Sequence, residues 1–223
     1  MTKQTIAETI LFRVSGGSFS QDGNVQIADI LAYLPIVHAD ATRRMLYEDR
    51  AAQRGDAGVS GFVANKVQSL YHVMEAVPQK HDSGAFYIDL PHPVLDLPGT
   101  WPIGLVCPKG MFSKQYAKVA NMAMLGSDPL LQEALQWTCW ESVRDGEIRK
   151  TRMWLYGSSV PLCEHTVQAY VSIENFDSDE PLPGGTAILN MVIDMAVQYF
   201  QAQRQIPTPG ISNEADANDN NAR

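Results

Sequence analysis

Cys163-Glu164-His165 places a thiol two residues from an imidazole. A thiol close to an imidazole could serve a cysteine hydrolase, in which the base draws off the thiol proton, or could begin a metal site. No second Cys/His pair stands at ligand spacing, so the edge of a strand is the plainer expectation. His81-Asp82-Ser83 contains the residue types of an acyl-transfer triad. Neighbours in one turn do not converge as triad members must, and a solvated hairpin turn is the better reading. Asp177, Asp179 and Glu180 offer oxygens to a hard cation such as Ca²⁺, but the rest of a calcium loop is missing, which leaves a solvated acidic linker. The glycine-bearing stretches 55–61 and 183–185 lack the Gly-Lys-Ser/Thr of a phosphate-binding loop. The expectation is therefore no catalytic residue, no metal ligand and no cofactor.

Arg149, Lys150 and Arg152 make one segment basic, with Trp137, Trp140 and Trp154 nearby in sequence. Cations interleaved with aromatics suit a single-stranded nucleic-acid platform. A formal net charge of −8 opposes that use, because phosphate binding draws on clustered Lys and Arg without compensating acid. The basic segment instead reads as an intersubunit contact or a snorkelling sheet face, and for such a contact Asp177, Asp179 and Glu180 are the candidate acidic patch.

The chain of 223 residues, 45% hydrophobic and 19% charged, can bury a proper core. Its three cysteines are an odd number, far apart and without C-x-x-C spacing, as expected of reduced thiols in a cytosolic product. The N-terminus shows no apolar signal region, and no stretch approaches the roughly 18 apolar residues of a membrane span. The expectation is a protein neither exported by a signal peptide nor embedded in a membrane.

Around these residues the pattern predicts an α+β fold: helices at both ends of the chain and a central antiparallel sheet or small sandwich. Ile6, Ile10 and Val14 recur at helical spacing over residues 5–14, and Gly16-Gly17 should stop that helix. A second helical pattern runs from Ile27 to Met45, with Pro35 expected to kink or split it, and a mobile loop is expected over 51–61. Residues 71–77 and 86–90 read as the strands of one hairpin, and 101–106 as a further strand. Pro91, Pro93, Pro98 and Pro102 limit regular pairing between them. A short helix is expected after Asp128-Pro129. Residues 137–143 and 148–156 form a hairpin turned by Asp145-Gly146, and 166–173 adds a strand to the sheet begun at Phe86. An acidic, Pro/Gly-rich linker over 174–185 precedes a final amphipathic helix. The expected organisation is one domain over residues 1–205, with a helical part at 1–60, a β-rich part at 62–174 and a helix at 186–204. Residues 206–223 form a polar tail.

The order of these pieces resembles the head-to-tail connector, or adaptor, structural proteins of tailed bacteriophages. The resemblance rests on Ile10-Leu-Phe-Arg-Val-Ser-Gly-Gly17, Ala39-Asp-Ala-Thr-Arg-Arg-Met-Leu-Tyr47 and Phe86-Tyr-Ile-Asp-Leu-Pro91. It continues through Leu95-Asp-Leu-Pro98 before Ile103-Gly-Leu-Val106, Pro181-Leu-Pro183 ahead of the last helix, and the Asp/Asn-rich terminus. What it implies is a virion protein without enzymatic activity, made in the host cytoplasm and placed at the head–tail junction. It would form a homo-oligomeric ring, often of twelve copies, between the portal protein and the tail proteins. Genomic DNA would pass through its channel without specific binding. Another neck or tail ring, such as a tail terminator, and a small cytosolic cysteine hydrolase using Cys163 or His165 are the competing expectations.

The acidic balance makes a direct prediction: at low salt the protein should flow through a heparin column. Retention that is released by salt would restore the nucleic-acid reading.

Overall fold

Thr2 is extended and accepts a hydrogen bond from Thr5 N–H through its hydroxyl, which caps helix α1 (Lys3–Val14). At the other end Gly17 N–H donates to Phe12 C=O and Gly16 N–H to Arg13 C=O, with Gly16 at φ +69°. This paired closure needs a left-handed residue, and glycine adopts that conformation without strain. The expected stop is therefore present, and Ile6, Ala7, Ile10 and Val14 are the buried face. The computed structural model of the protein describes residues 1–17, 25–55, 69–97, 102–112, 115–118, 136–156 and 160–205.

Helix α2 (Ile27–Gly55) is continuous through Pro35, so of the expected kink or split the split does not occur. Proline removes one backbone hydrogen bond, but Ile30, Leu34, Val37 and Ala41 are buried on both sides of it. That burial outweighs the loss. The helix also covers residues 51–55, where a loop was expected; the remainder of that loop, and residues 61–68, lie outside the described residues. Helix α3 (Thr186–Gln205) starts where Ile188 and Leu189 N–H groups meet Gly185 C=O. It buries Ile188, Leu189, Val192, Ile193, Ala196 and Phe200, close to the expected face. Tyr199, on the edge of that face, stacks on Tyr33 of α2 with ring centroids 4.0 Å apart. The three helices pack on one another, and Arg13 of α1 reaches Asp194 of α3 at 2.7 Å.

The strands are β1 (His72–Ala76), β2 (Gln79–Lys80), β3 (Phe86–Leu90), β4 (Ile103–Pro108), β5 (Ala117–Lys118), β6 (Gln136–Asp145), β7 (Ile148–Tyr156) and β8 (His165–Ala169). They form two sheets, ordered β1-β8-β4 and β2-β3-β7-β6-β5, antiparallel throughout except for the β5–β6 pair. The fold is thus α+β, with the helices drawn from the two ends of the chain. The β6–β7 hairpin forms as expected, with Gly146 at φ +64° in its turn.

Two expected pairings are not made. β1 pairs with β8, Met74 opposite Val167, and not with β3. The turn at 81–84 does form, but it joins β3 to the two-residue β2. Pro78, without a donor, separates β1 from β2 and lets the chain change sheets. Likewise β8 does not extend the sheet that contains β3. It is the middle strand of the smaller sheet, between β1 and β4. The prolines after β3 carry the chain across: Val94 bridges Val171, Leu95 N–H bonds Tyr170 C=O, and Pro102 C=O accepts from Tyr170 N–H. The helix expected after Asp128-Pro129 and the tail at 206–223 lie outside the described residues. Residues 174–185, expected as a solvated linker, are packed in part: Phe176, Leu182 and Pro183 are buried. Leu182 N–H bonds Met1 C=O, and Gln4 N–H bonds Ser178 C=O. Lys3 Nζ donates to the carbonyls of Glu174 and Phe176 at 3.1 and 2.7 Å.

One side-chain bond ties the crossing segment to the larger sheet. Thr151, 3% exposed on β7, accepts from Val94 N–H at 2.8 Å. Thr151→Val keeps the shape and strands a buried amide, so it should cost about 1–3 kcal/mol in urea unfolding. An unchanged midpoint would show that the amide finds another partner.

Candidate functional site

The charged residues expected at a subunit contact lie on two elements that touch. Arg152 faces Asp89 across the β3–β7 pair and binds it through two parallel hydrogen bonds, 2.7 and 2.8 Å. Its guanidinium also lies 4.1 Å from the Tyr87 ring centroid. This bidentate, stacked arrangement is one that lysine could not reproduce. Lys150 pairs with Asp145 at 2.7 Å, and Arg149 donates to Ser142 Oγ at 2.9 Å. Asn175 of the linker donates to the carbonyls of Arg149 and Pro91, which docks the linker on β7. Asp177 and Asp179 are exposed and form no ion pair among the described residues, whereas Glu180 is half-buried and turned inward.

The reactive groupings are held apart from catalytic geometry. His165 is fully buried, with Nδ1 2.8 Å from Cys163 C=O and Nε2 2.9 Å from the Tyr116 hydroxyl. Both ring nitrogens are therefore engaged: Nδ1–H donates to the carbonyl and Nε2 accepts from the phenol. The thiol of Cys163, on an exposed residue, has no claim on that base. Burial, reinforced by the nearby Cys163, raises the Tyr116 pKa well above its ordinary value, so the phenol stays a donor. In the 81–84 turn Ser83 binds His81 Nδ1 at 2.9 Å through its hydroxyl and also through its backbone N–H. The imidazole there organises an exposed turn. Two open clefts accompany these features. One of 490 Å³ lies between α2 and α3, lined in part by Asp29, Tyr33, Tyr199 and Gln203. The other, of 430 Å³, is lined by Tyr71, Val73, Gly104 and Gln168. Among the described residues neither is lined by His, Cys or Lys.

Two features that no local sequence signal announced are brought together by topology. The first is an apolar rim. Pro108 of β4 and Ala76 of β1 both stand opposite His165, and Lys109 N–H bonds Glu164 C=O. The residues just beyond therefore collect at one end of the smaller sheet: Val77 (55% exposed), Met111 (45%), Phe112 (60%) and Leu162 (70%). Lys109 sits among them, binding Glu75 at 2.6 Å and Glu164 at 2.7 Å. The second is a cluster of His72, His92 and Glu180, from the start of β1, the segment after β3 and the linker. The His92 ring stacks on Phe176 with centroids 4.0 Å apart, and His72 meets both rings edge-on. Burial lowers the pKa of His92, with His72 adding to the effect and Glu180 opposing it. Burial lowers that of His72 as well, against the pull of Glu180.

His38 and His165, 3% and 0% exposed, are likewise held below their ordinary pKa by burial, each against one backbone hydrogen bond. Their native pKa lies below the unfolded value near 6.5, so below that pH the unfolded chain binds protons that the native state refuses. Stability should then fall as pH drops from 7.5 to 5.5, by up to about 1.4 kcal/mol per pH unit for each such imidazole. A flat or rising urea midpoint over that window would contradict the assignment of neutral buried rings. Compared with known proteins, the chain matches no protein-family model and no curated protein.

Proposed function

We propose that this chain is a non-enzymatic subunit of a head-to-tail connector ring in a tailed bacteriophage, joining portal to tail around the DNA channel. The placement at a phage neck rests on the order of the sequence segments. The observation that carries the self-assembly is the apolar rim of Val77, Met111, Phe112 and Leu162. Four large side chains at one sheet end, each about half or more exposed, are a surface that water disfavours and a neighbouring subunit would cover.

A closed ring of identical subunits needs two different patches, one given and one received. The receiving patch is on α2. Ile36 and Tyr47 are 55% and 74% exposed. Eleven residues apart, they fall within about 20° of one another at 3.6 residues per turn and share one stripe. Asp177 and Asp179, exposed on the linker, would add a separate charged contact. The charge of −8 per subunit, repeated around a ring, would repel DNA and allow it to slide. The cations of β7 fit this role too, since Asp89 and Asp145 already neutralise two of them within the subunit. A tail-terminator ring would use the same two patches. The cysteine-hydrolase reading is disfavoured by the double engagement of His165.

The two-patch arrangement has a distinctive test. The wild-type protein should appear as rings in electron micrographs and co-purify with virions. Phe112→Asp and Tyr47→Asp should each give folded monomers by light scattering. Mixed together they should give a dimer and nothing larger, because each retains the patch that the other lacks. A wild-type protein that is strictly monomeric and absent from particles would overturn the proposal, and rings formed by both variants would overturn the assigned patches.

A further inference from the structure

We propose that His72, His92 and Glu180 bind a divalent transition cation of the Zn²⁺ class. This goes beyond the ring reading and does not depend on it. One ligand atom from each of the three residues lies within 4.8 Å of the other two, and His92 Nε2 is 3.9 Å from Glu180 Oε1. Around a tetrahedral ion with bonds of about 2.0–2.1 Å, ligand atoms stand roughly 3.4 Å apart. The cluster is thus about an ångström too open, and the cation would supply the attraction that closes it. Glu180 can make that adjustment, because it stands on a non-helical segment with its side chain 34% exposed.

The second observation is the state of His92. Its residue is only 9% exposed, its Nδ1 is buried without a partner, and its Nε2 is too far from Glu180 for a hydrogen bond. Buried polar atoms are normally paired. His38 Nδ1 is buried without a partner too, but the other two buried imidazoles each have at least one ring hydrogen bond, His165 to Cys163 and Tyr116 and His38 through Nε2 to Pro183 C=O, whereas the His92 ring has none among the described residues. Ligation through Nε2, the nitrogen that faces Glu180, would give the His92 ring its one polar partner, with Nδ1 left as it is.

The surroundings suit a metal that takes neutral imidazole. Phe176 holds both rings at fixed angles. The His92 segment is anchored on each side by Asn175 on Pro91 C=O and by Ser172 N–H on Pro93 C=O. Burial already favours the deprotonated rings, so at neutral pH the cation displaces few protons. Asp177 adds negative potential at His92, and Lys3, bound to the carbonyls of Glu174 and Phe176, opposes it. Two nitrogen donors and one carboxylate select Zn²⁺ or Co²⁺ over Ca²⁺ and Mg²⁺, which require mostly oxygen. A solvent molecule would complete four-coordination. The bound ion would cross-link the 174–185 linker to the start of β1.

The test uses the full chain at pH 7.5 with Zn²⁺ or Co²⁺ alone. The expected results are one equivalent of Zn²⁺ by calorimetry, a rise in Tm, and cobalt d–d absorption of four-coordinate intensity. His72→Ala and Glu180→Gln, both at partly exposed positions, should each weaken binding at least tenfold and keep the far-UV spectrum. Absence of stoichiometric binding by the wild type would overturn the proposal. So would binding unchanged in both variants, since the metal would then sit on other groups, such as Cys163 or His81. If one variant fails to fold, the other decides between the same two results.

Discussion

The interior position of residues 165–173 is the constraint on which the described fold depends. Of these nine, only Gln168 is not buried. A strand that meets solvent on neither face must find hydrogen bonds along both edges and side-chain neighbours above and below. β1 and β4 supply the edges of β8, and the proline-rich segment supplies them further on, through Val94, Leu95 and Pro102. A slip of one residue would move Val167 and Ala169 to the opposite face and exchange the environments of His165 and Thr166. His165 makes that slip more costly still, because its hydrogen bond with the Tyr116 hydroxyl is satisfied only in the observed register.

From this strand the chain runs into the linker, and there the helices and sheets are joined. Phe176 and Leu182 add to the same apolar core as Ile6, Ile188 and Met74. Lys3 at the start of α1 binds the carbonyls of Glu174 and Phe176, and Met1 C=O receives Leu182 N–H. Opposite ends of the sequence are thus fastened by main-chain bonds close to where α3 begins. Gly184, at φ +105° and in contact with Ile188, gives the sharp change of direction into that helix. A side chain there would be strained by the backbone and would collide with Ile188.

What could be read from sequence was what is encoded locally. α1, α3 and the β6–β7 hairpin have their periodicity, caps and turn residues within a few positions, and the Gly16-Gly17 stop and the Asp145-Gly146 turn are where the pattern put them. Sheet membership was not legible, because period-two alternation says which side chains share a face and nothing about which strand lies alongside. β1 has the right alternation for a hairpin with β3, yet Pro78 and the demand of β8 for two neighbours send it elsewhere. Pro35 does not split α2 for a related reason: its local penalty is real, but burial of Leu34 and Val37 decides. The His72–His92–Glu180 cluster gave no signal, since its members are separated by twenty and eighty-eight positions and meet only through the crossing of the chain between sheets. The Asp89–Arg152 pair required the β3–β7 register, which no single strand contains.

The same local-versus-distant division bears on what the surface offers to a partner. Read along the sequence, Arg149, Lys150 and Arg152 are a basic strip; in the fold, Arg152 and Lys150 face carboxylates of β3 and β6, and Arg149 lies 3.9 Å from Glu174. Exposed pairs of this kind contribute little to stability, but they remove positive potential from the outer surface. Asp177 and Asp179, by contrast, are exposed and form no ion pair among the described residues. Recognition by such a surface then depends less on the charges that a sequence displays than on those that the fold leaves unpaired. The exposed apolar side chains at Phe112 and Leu162, which no charge count reveals, are the larger departure from an inert exterior.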